Sequence, residues 1–357
     1  MTQMFSPSVV GTANAIAGGW GNMGAGVTYL VMPAIFGGIR HYLPVSKAWR
    51  VVFVIPAGIC ILVATAVLLF STDTPNGDWL KQNDRTDEAM DGLPSMEKGP
   101  GRANEKLPAK ISVGEDDAGK DDEVGAEVLP ADDENFIEDV KRDESTLSTI
   151  RNFFKVLIKP AVLIMMCTYA CSFGIELSID NIIGQAYEKE FHLQPSKAAY
   201  IGSIFGLLNI CSRLSGGLFS DFMAHRLHIP GRILALLMGM ILEGVFLIGF
   251  SAGLVSLSTS ITLMVFFSFF VQAVCGLTFG IVPFIDPVNN GKVMGIVGAA
   301  GTLGGLIFNL MFLGFGTHYA SAFLCLGCVA LGVAIIGCAS LRVQNNTIWH
   351  IYNRWSS

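Results

Sequence analysis

One arginine stands in the middle of an apolar run of this 357-residue chain; the other Lys and Arg residues lie at the ends of such runs or between them. Arg213 is charged at any physiological pH and offers a planar fork of donors, which suits a planar anion or a carboxylate. At 100° per residue Gly202, Gly206, Asn209 and Arg213 fall on one narrow face of a helix otherwise made of Ile, Leu and Phe. A polar stripe containing an amide therefore leads to the charge. The competing reading is an arginine two turns from the end of its run that snorkels to water or pairs with a carboxylate. The glycines and the amide beside it favour a cavity.

A second constellation precedes it. Tyr169, Phe173, Glu176 and Asp180 are spaced i, i+4, i+7 and i+11, on one helical face. The Tyr169 hydroxyl can donate to an anion while Phe173 packs on the anion's plane; the plain alternative is an aromatic stripe in a helix core. Glu176 falls near the middle of its run, where an ionised carboxylate is costly. It either carries a proton or pairs with an arginine, and the spacing leaves both open. Asp180 is expected nearer the surface and solvated. Glu243 is a further proton-carrying candidate of the same kind.

The elements that must position these groups are marked by glycine. The stretch from Gly18 to Gly26 reads Gly-Gly-Trp-Gly-Asn-Met-Gly-Ala-Gly, and about 280 residues later Gly298 to Gly305 repeats its spacing, matching Gly18, Gly21, Asn22 and Gly24 with Gly298, Gly301, Thr302 and Gly304. In lipid such small residues let helix backbones approach closely, and paired segments in corresponding halves mark transporter repeats. Packing accounts for most of the glycines. Asn22 needs more, because an amide in hydrocarbon must find a partner.

Apolar residues make up 52% of the chain and charged residues 15%, which places it in a bilayer. Windows of about 20 apolar residues predict eight spans, near 7–37, 51–70, 160–187, 198–219, 233–253, 261–285, 293–315 and 320–341. The fold class expected is an all-α membrane bundle. The net charge of −6 conceals a split: 22 of the 29 acidic but only nine of the 23 basic residues lie between Asp73 and Glu144, leaving −13 there and +7 elsewhere. A basic embedded part suits an anionic substrate. All eight cysteines fall in apolar segments, and even Cys325-x-x-Cys328 lacks an accompanying histidine, so they read as small packing residues. The glycine stretches lack the Lys-Ser/Thr of a phosphate-binding loop, which argues against an ATP-driven pump. No cofactor, metal, enzymatic activity or nucleic-acid partner is called for, and the start lacks the basic region of a cleavable signal.

The organisation expected is 1–71 for two spans, 72–158 for an acidic disordered loop ending in an interfacial helix, 159–341 for six spans, and 342–357 for a tail. Ser95, Ser112 and Ser145 in the loop are candidate phosphorylation sites. Counting Lys and Arg near the spans gives twelve on the loop side against five opposite, which puts the loop and both termini in the cytoplasm.

Two spans, a long loop and six spans resemble the major facilitator superfamily with its first four helices absent. The stretch Gly216-Gly217-Leu218-Phe219-Ser220-Asp221-Phe222-Met223-Ala224-His225-Arg226 looks like that superfamily's loop motif, in which Asp221 and Arg226 would form a cytoplasmic latch. The Asn14 to Gly26 stretch, Ala17 to Gly24 in particular, is similar to the nitrate signature of the nitrate/nitrite porter family, Gly295 to Gly305 to its second signature, Phe173 to Asn181 to its eukaryotic branch, and the long central loop to the fungal type. The second signature usually carries Gly-Gly-Asn where this chain has Ala300-Gly301-Thr302.

This resemblance implies proton-coupled uptake of nitrate, and of nitrite, by alternating access at the plasma membrane. Arg213 would be the anion anchor, Asn22, Tyr169 and Asn209 neutral donors, Phe173 an aromatic wall, Glu176 the proton carrier and the glycine stretches sliding contacts. A second arginine belongs on a helix outside this sequence. Two rivals remain: a superfamily member carrying another small solute, and a truncated, non-transporting or sensing membrane protein. A misassigned start codon equally suits the eight spans.

Overall fold

The computed structural model describes residues 8–71 and 150–350, all but two of which fall in one compact unit formed by Met1–Leu69 and Ile150–Ser357. The acidic loop, its three serines and the end of the tail lie outside the described residues. In chain order the helices are α1 (Val10–Arg40), α2 (Val45–Val52), α3 (Val54–Phe70), α4 (150–157), α5 (Pro160–Glu190), α6 (Pro195–Leu207), α7 (Asn209–Gly253), α8 (Leu257–Ile281), α9 (Asn290–Phe315) and α10 (Tyr319–Val333). A π-helical turn, Ala334–Cys338, continues α10. The described residues form no named strand; an isolated bridge joins Val343 and Asn346.

Local sequence accounts for the boundaries. Pro160 and Pro195 occupy the first turns of α5 and α6 after extended residues, where a missing N–H costs nothing. Ser256 caps α8 by accepting from the Thr259 N–H at 3.3 Å. Gly316 ends α9 at φ 60°, a conformation that favours glycine.

Among the described residues seven helical stretches are long and apolar enough to cross a membrane, and the eighth expected span is folded into one of them. The stretch Pro195–Gly253 runs 59 residues, about 90 Å if straight, roughly three times the hydrocarbon thickness. It breaks at His228, whose φ of 57° and ψ of −141° are not helical. Ser220 and Arg232 would stand about 18 Å apart on one straight helix, yet Arg232 Nη1 donates to Ser220 Oγ at 2.9 Å. The two arms of α7 are thus antiparallel, and residues 216–226, expected to form a loop, are helical; the turn comes later, at His228.

The core lies among α5, α7, α8 and α10, where Ile175, Met240, Phe250, Phe267 and Phe323 are fully buried. By contrast, α3 buries none of its residues, although it is the most apolar stretch among the membrane-length helices. Its exposed apolar surface is of the kind a lipid-facing helix presents.

Candidate functional site

Small residues bring α1 against α6 and the first arm of α7. A Cβ on Gly206 would fall on the backbone of Gly26, one on Gly217 would meet Gly11 and Ala15, and one on Gly19 would stand 3.0 Å from the Asn209 carbonyl. This close approach places Gly18 beside the Arg213 guanidinium, with Cδ and Nη1 both 3.2 Å from where a Cβ would be. On the other side α9 packs on α5 by the same means: a Cβ on Gly304 would strike Ala170, and one on Gly301 would come within 2.6 Å of the Tyr169 ring and 2.8 Å of Phe173. The two glycine stretches therefore seat on different helices, α1 on α6 and α7, α9 on α5. Gly21, Gly24 and Gly298 face no atom within 4 Å.

Between these contacts lies a buried polar cluster. Arg213 is 2% exposed, and 18 residues from Pro195 and 15 from His228 put it near mid-helix, about 27 and 22 Å from the two ends. Snorkelling is excluded by that depth and by the partners it has. Its Nη2 donates to Glu176 Oε2 at 2.6 Å and its Nε to Asn209 Oδ1 at 3.0 Å. Asn209 Nδ2 in turn donates to Glu176 Oε1 at 2.5 Å. The guanidinium lies 5.7 Å from the Phe173 ring centroid, Phe173 stacks on Tyr169 at 5.0 Å and 8°, and Phe279 meets Tyr169 edge-on. Arginine, amide, carboxylate and aromatic wall, drawn from α5 and α7, thus share one site with Gly18 and Gly301 at its edges.

The geometry of this cluster bears on two alternatives left open by the spacing. Glu176 is the ion-pair partner of Arg213, so a carboxylate occupies the fork that an anion would use. Asn22 lies one turn beyond Gly18 on α1, where its Nδ2 donates to the Gly18 carbonyl at 3.0 Å; Thr302 Oγ1 makes the matching contact to Gly298 O at 3.4 Å. The sequence echo between the two stretches is therefore a structural echo, each polar side chain turned back onto its own helix.

Two residues, Arg232 and Gln272, carried no expectation, and two others, Arg226 and Cys275, sit otherwise than expected. The latch expected between Asp221 and Arg226 is instead built by Arg232, whose Nη1 lies 2.8 Å from Asp221 Oδ1, while Arg226 sits over the Phe222 ring at 5.5 Å. Arg226 follows Asp221 by five residues on the same helix and points elsewhere, whereas the reversal at His228 returns Arg232 to it. The other Asp221 oxygen accepts from the Thr12 N–H at 2.8 Å and hydroxyl at 2.6 Å, tying α7 to the start of α1. Cys275, expected to be plain packing, lies with its Sγ 3.2 Å from Glu176 Oε2 and so can donate to it. Gln272 of α8 donates to the Phe205 carbonyl at 2.6 Å, at the junction of α6 and α7 just before Asn209. A side chain inserted into a helix ladder is a recognised cause of such a break. No periodicity or motif marks Cys275 or Gln272. At the edge of the bundle Lys159 Nζ bonds Asp286 Oδ2 at 2.6 Å, and this hydrogen bond holds the Asp286 carboxyl below its usual range. Among the described residues no group of His, Cys, Asp and Glu could hold a metal ion.

The sequence matches the Major Facilitator Superfamily over residues 1–309. It is similar to high affinity nitrate transporter 2.5 of Arabidopsis thaliana, with 36% identity over 95% of this chain and 56% of that protein. Nitrate transporter 2.1 of Chlamydomonas reinhardtii is 35% identical over 85% of this chain and 46% of its own length. High-affinity nitrate transporter 2.3 of Oryza sativa is 32% identical over 95% and 54%. The chain spans about half the length of these relatives.

Proposed function

Since this chain belongs to the Major Facilitator Superfamily and is an integral, multi-pass membrane protein, we propose that it is a nitrate/nitrite porter whose cargo is nitrate, with nitrite as a smaller alternative, taken up together with protons. The observation that carries this reading is the buried Arg213, Asn209 and Glu176 cluster under the Phe173 and Tyr169 rings. The named activities of the relatives support the choice of anion. On this reading the membrane is the plasma membrane, and the acidic loop and both termini are cytoplasmic.

The mechanism follows from competition for one fork. While Glu176 is ionised it neutralises Arg213 and keeps an anion out. A proton taken by Glu176 removes that charge and weakens its hold. Arg213 then has an unmatched planar fork, which two oxygens of a planar monoanion can fill. Phe173 supplies a flat apolar wall, and the Tyr169 hydroxyl and the Asn22 amide, one turn beyond Gly18 on α1, are the neutral donors of this reading. When the other side opens, loss of the proton lets Glu176 reclaim Arg213 and expel the anion. The small-residue contacts of α1 on α6 and α7 are the surfaces that slide, and the Asp221 bonds to Thr12 and Arg232 hold one end of them.

Substitution of Arg213 by Lys tests the assignment. The charge remains, but the Nε bond to Asn209 and the planar fork are lost, at about 1–3 kcal/mol for the buried group left unpaired. Nitrate uptake by cells expressing the full chain should then show a KM raised by roughly 5- to 150-fold. Unchanged kinetics would remove Arg213 from the site. Competition by chlorate and by organic solutes against labelled nitrate distinguishes a nitrate porter from a carrier of another small solute.

A further inference from the structure

Glu243 is a buried carboxylate that the cluster around Arg213 does not use. It lies on the second arm of α7, 15 residues beyond His228 and ten before Gly253, about 22 and 15 Å from the ends of that arm. Glu176, 16 residues into α5, stands at comparable depth, about 24 Å from its start. Both side chains are fully buried. Their surroundings differ completely. Glu176 receives hydrogen bonds from Arg213, Asn209 and Cys275, whereas neither oxygen of Glu243 has a hydrogen-bond partner among the described residues.

Among the described residues, the titratable groups that interact electrostatically with Glu243 are Cys171 and Glu176 from α5, Cys275 from α8 and Cys338 from the π-helical turn. None of them is a cation. The α10 face beside it is closed by Leu331 and Gly327 packing on Gly244. An ionised carboxylate with no donor and no counter-charge is far more costly there than a neutral acid with one unmatched hydroxyl. The geometry therefore admits the protonated form. Two carboxylates at one depth, one bonded by an arginine and one without a donor, are set apart by their environments. Thiol and hydroxyl groups occupy the ground around Glu176: Cys275 Sγ is 3.2 Å from its carboxylate and 3.9 Å from Ser172 Oγ. Cys338 belongs to a π-helical turn, a feature frequent at functional sites.

We propose that Glu243 is a second proton-binding site, and that its proton is the one that makes the cargo electrogenic. The inference rests on the proton-coupled reading above. One proton on Glu176 only balances the charge of one nitrate, so the membrane potential neither opposes nor drives the step. A second proton makes the cargo a net cation, which an inside-negative potential drives inward. Glu243 binds that proton when the site faces outward and releases it inward.

The test is the proton-to-nitrate flux ratio of the full chain in proteoliposomes, with the nitrate-evoked current measured in parallel. The native protein is expected to move about two protons per nitrate. Glu243→Gln should keep nitrate uptake but lower the ratio to about one and abolish the current. A Glu243→Gln protein that keeps the native ratio overturns the inference and leaves the Arg213 site intact; native nitrate uptake without any proton flux overturns the coupled reading as a whole. Infrared spectra supply a readout independent of transport. A protonated-carboxyl carbonyl band should be present in the native protein, be shifted in Glu243→Asp and be lost in Glu243→Gln, and a native spectrum without a band that Glu243→Gln removes refutes the assignment.

Discussion

Replacing Glu176 by Gln should make the protein less stable in the absence of nitrate and bind nitrate more tightly. In the native cluster the carboxylate cancels the Arg213 charge through the 2.6 Å pair. Gln keeps an acceptor for Asn209 or Cys275 but cancels nothing, so a mid-membrane guanidinium is left uncompensated. Breaking one side of a buried pair in this way costs about 3–5 kcal/mol. An anion in the fork restores the missing charge. If nitrate recovers only about 2 kcal/mol of that loss, its apparent affinity rises about 30-fold. Thermal unfolding of the detergent-purified protein across a nitrate titration measures both quantities, because a ligand that binds only the folded state raises its stability by mass action. Nitrate-evoked proton currents should be lost at the same time. Equal or weaker stabilisation of the variant by nitrate would refute the idea that Glu176 and the anion compete for Arg213.

Two further perturbations address the framework. Gly206→Ala puts a Cβ onto the Gly26 backbone and should destabilise by at least about 1–3 kcal/mol through overpacking, whereas Gly21→Ala or Gly24→Ala, with no atom within 4 Å, should be neutral or gain up to about 1 kcal/mol of helix propensity; melting temperatures of the three variants decide. Lys159→Met removes the donor that depresses the Asp286 carboxyl. A depressed carboxyl stabilises above its unfolded pKa of about 4 and loses that contribution as pH falls through the lower native value. With Lys159 half exposed, the cost of Lys159→Met should be at most about 1 kcal/mol at pH 7 and vanish in strong acid, as followed by unfolding at both pH values.

Much of this architecture is legible in the amino-acid order alone. Apolar runs of spanning length, proline at helix starts and two matched glycine stretches dictate an all-helical membrane bundle, because the bilayer demands internal satisfaction of every backbone group. The 3.6-residue period likewise puts Gly206, Asn209 and Arg213 on one face, and Tyr169, Phe173 and Glu176 on another. Periodicity within one helix, however, says nothing about which faces meet. Tertiary structure decided that those two faces meet, so that Glu176 is paired with Arg213. It also decided that the turn falls at His228, past the motif, which brings Arg232 rather than Arg226 back to Asp221. Cys275 and Gln272 carried no signal because an isolated polar atom in an apolar helix acquires its meaning only from the partner on a neighbouring helix. Glu243 is the converse case, a carboxyl visible in the sequence whose significance lies in the partners the fold withholds from it. Composition and period determine helices and their faces; long-range packing through small residues determines which charges touch.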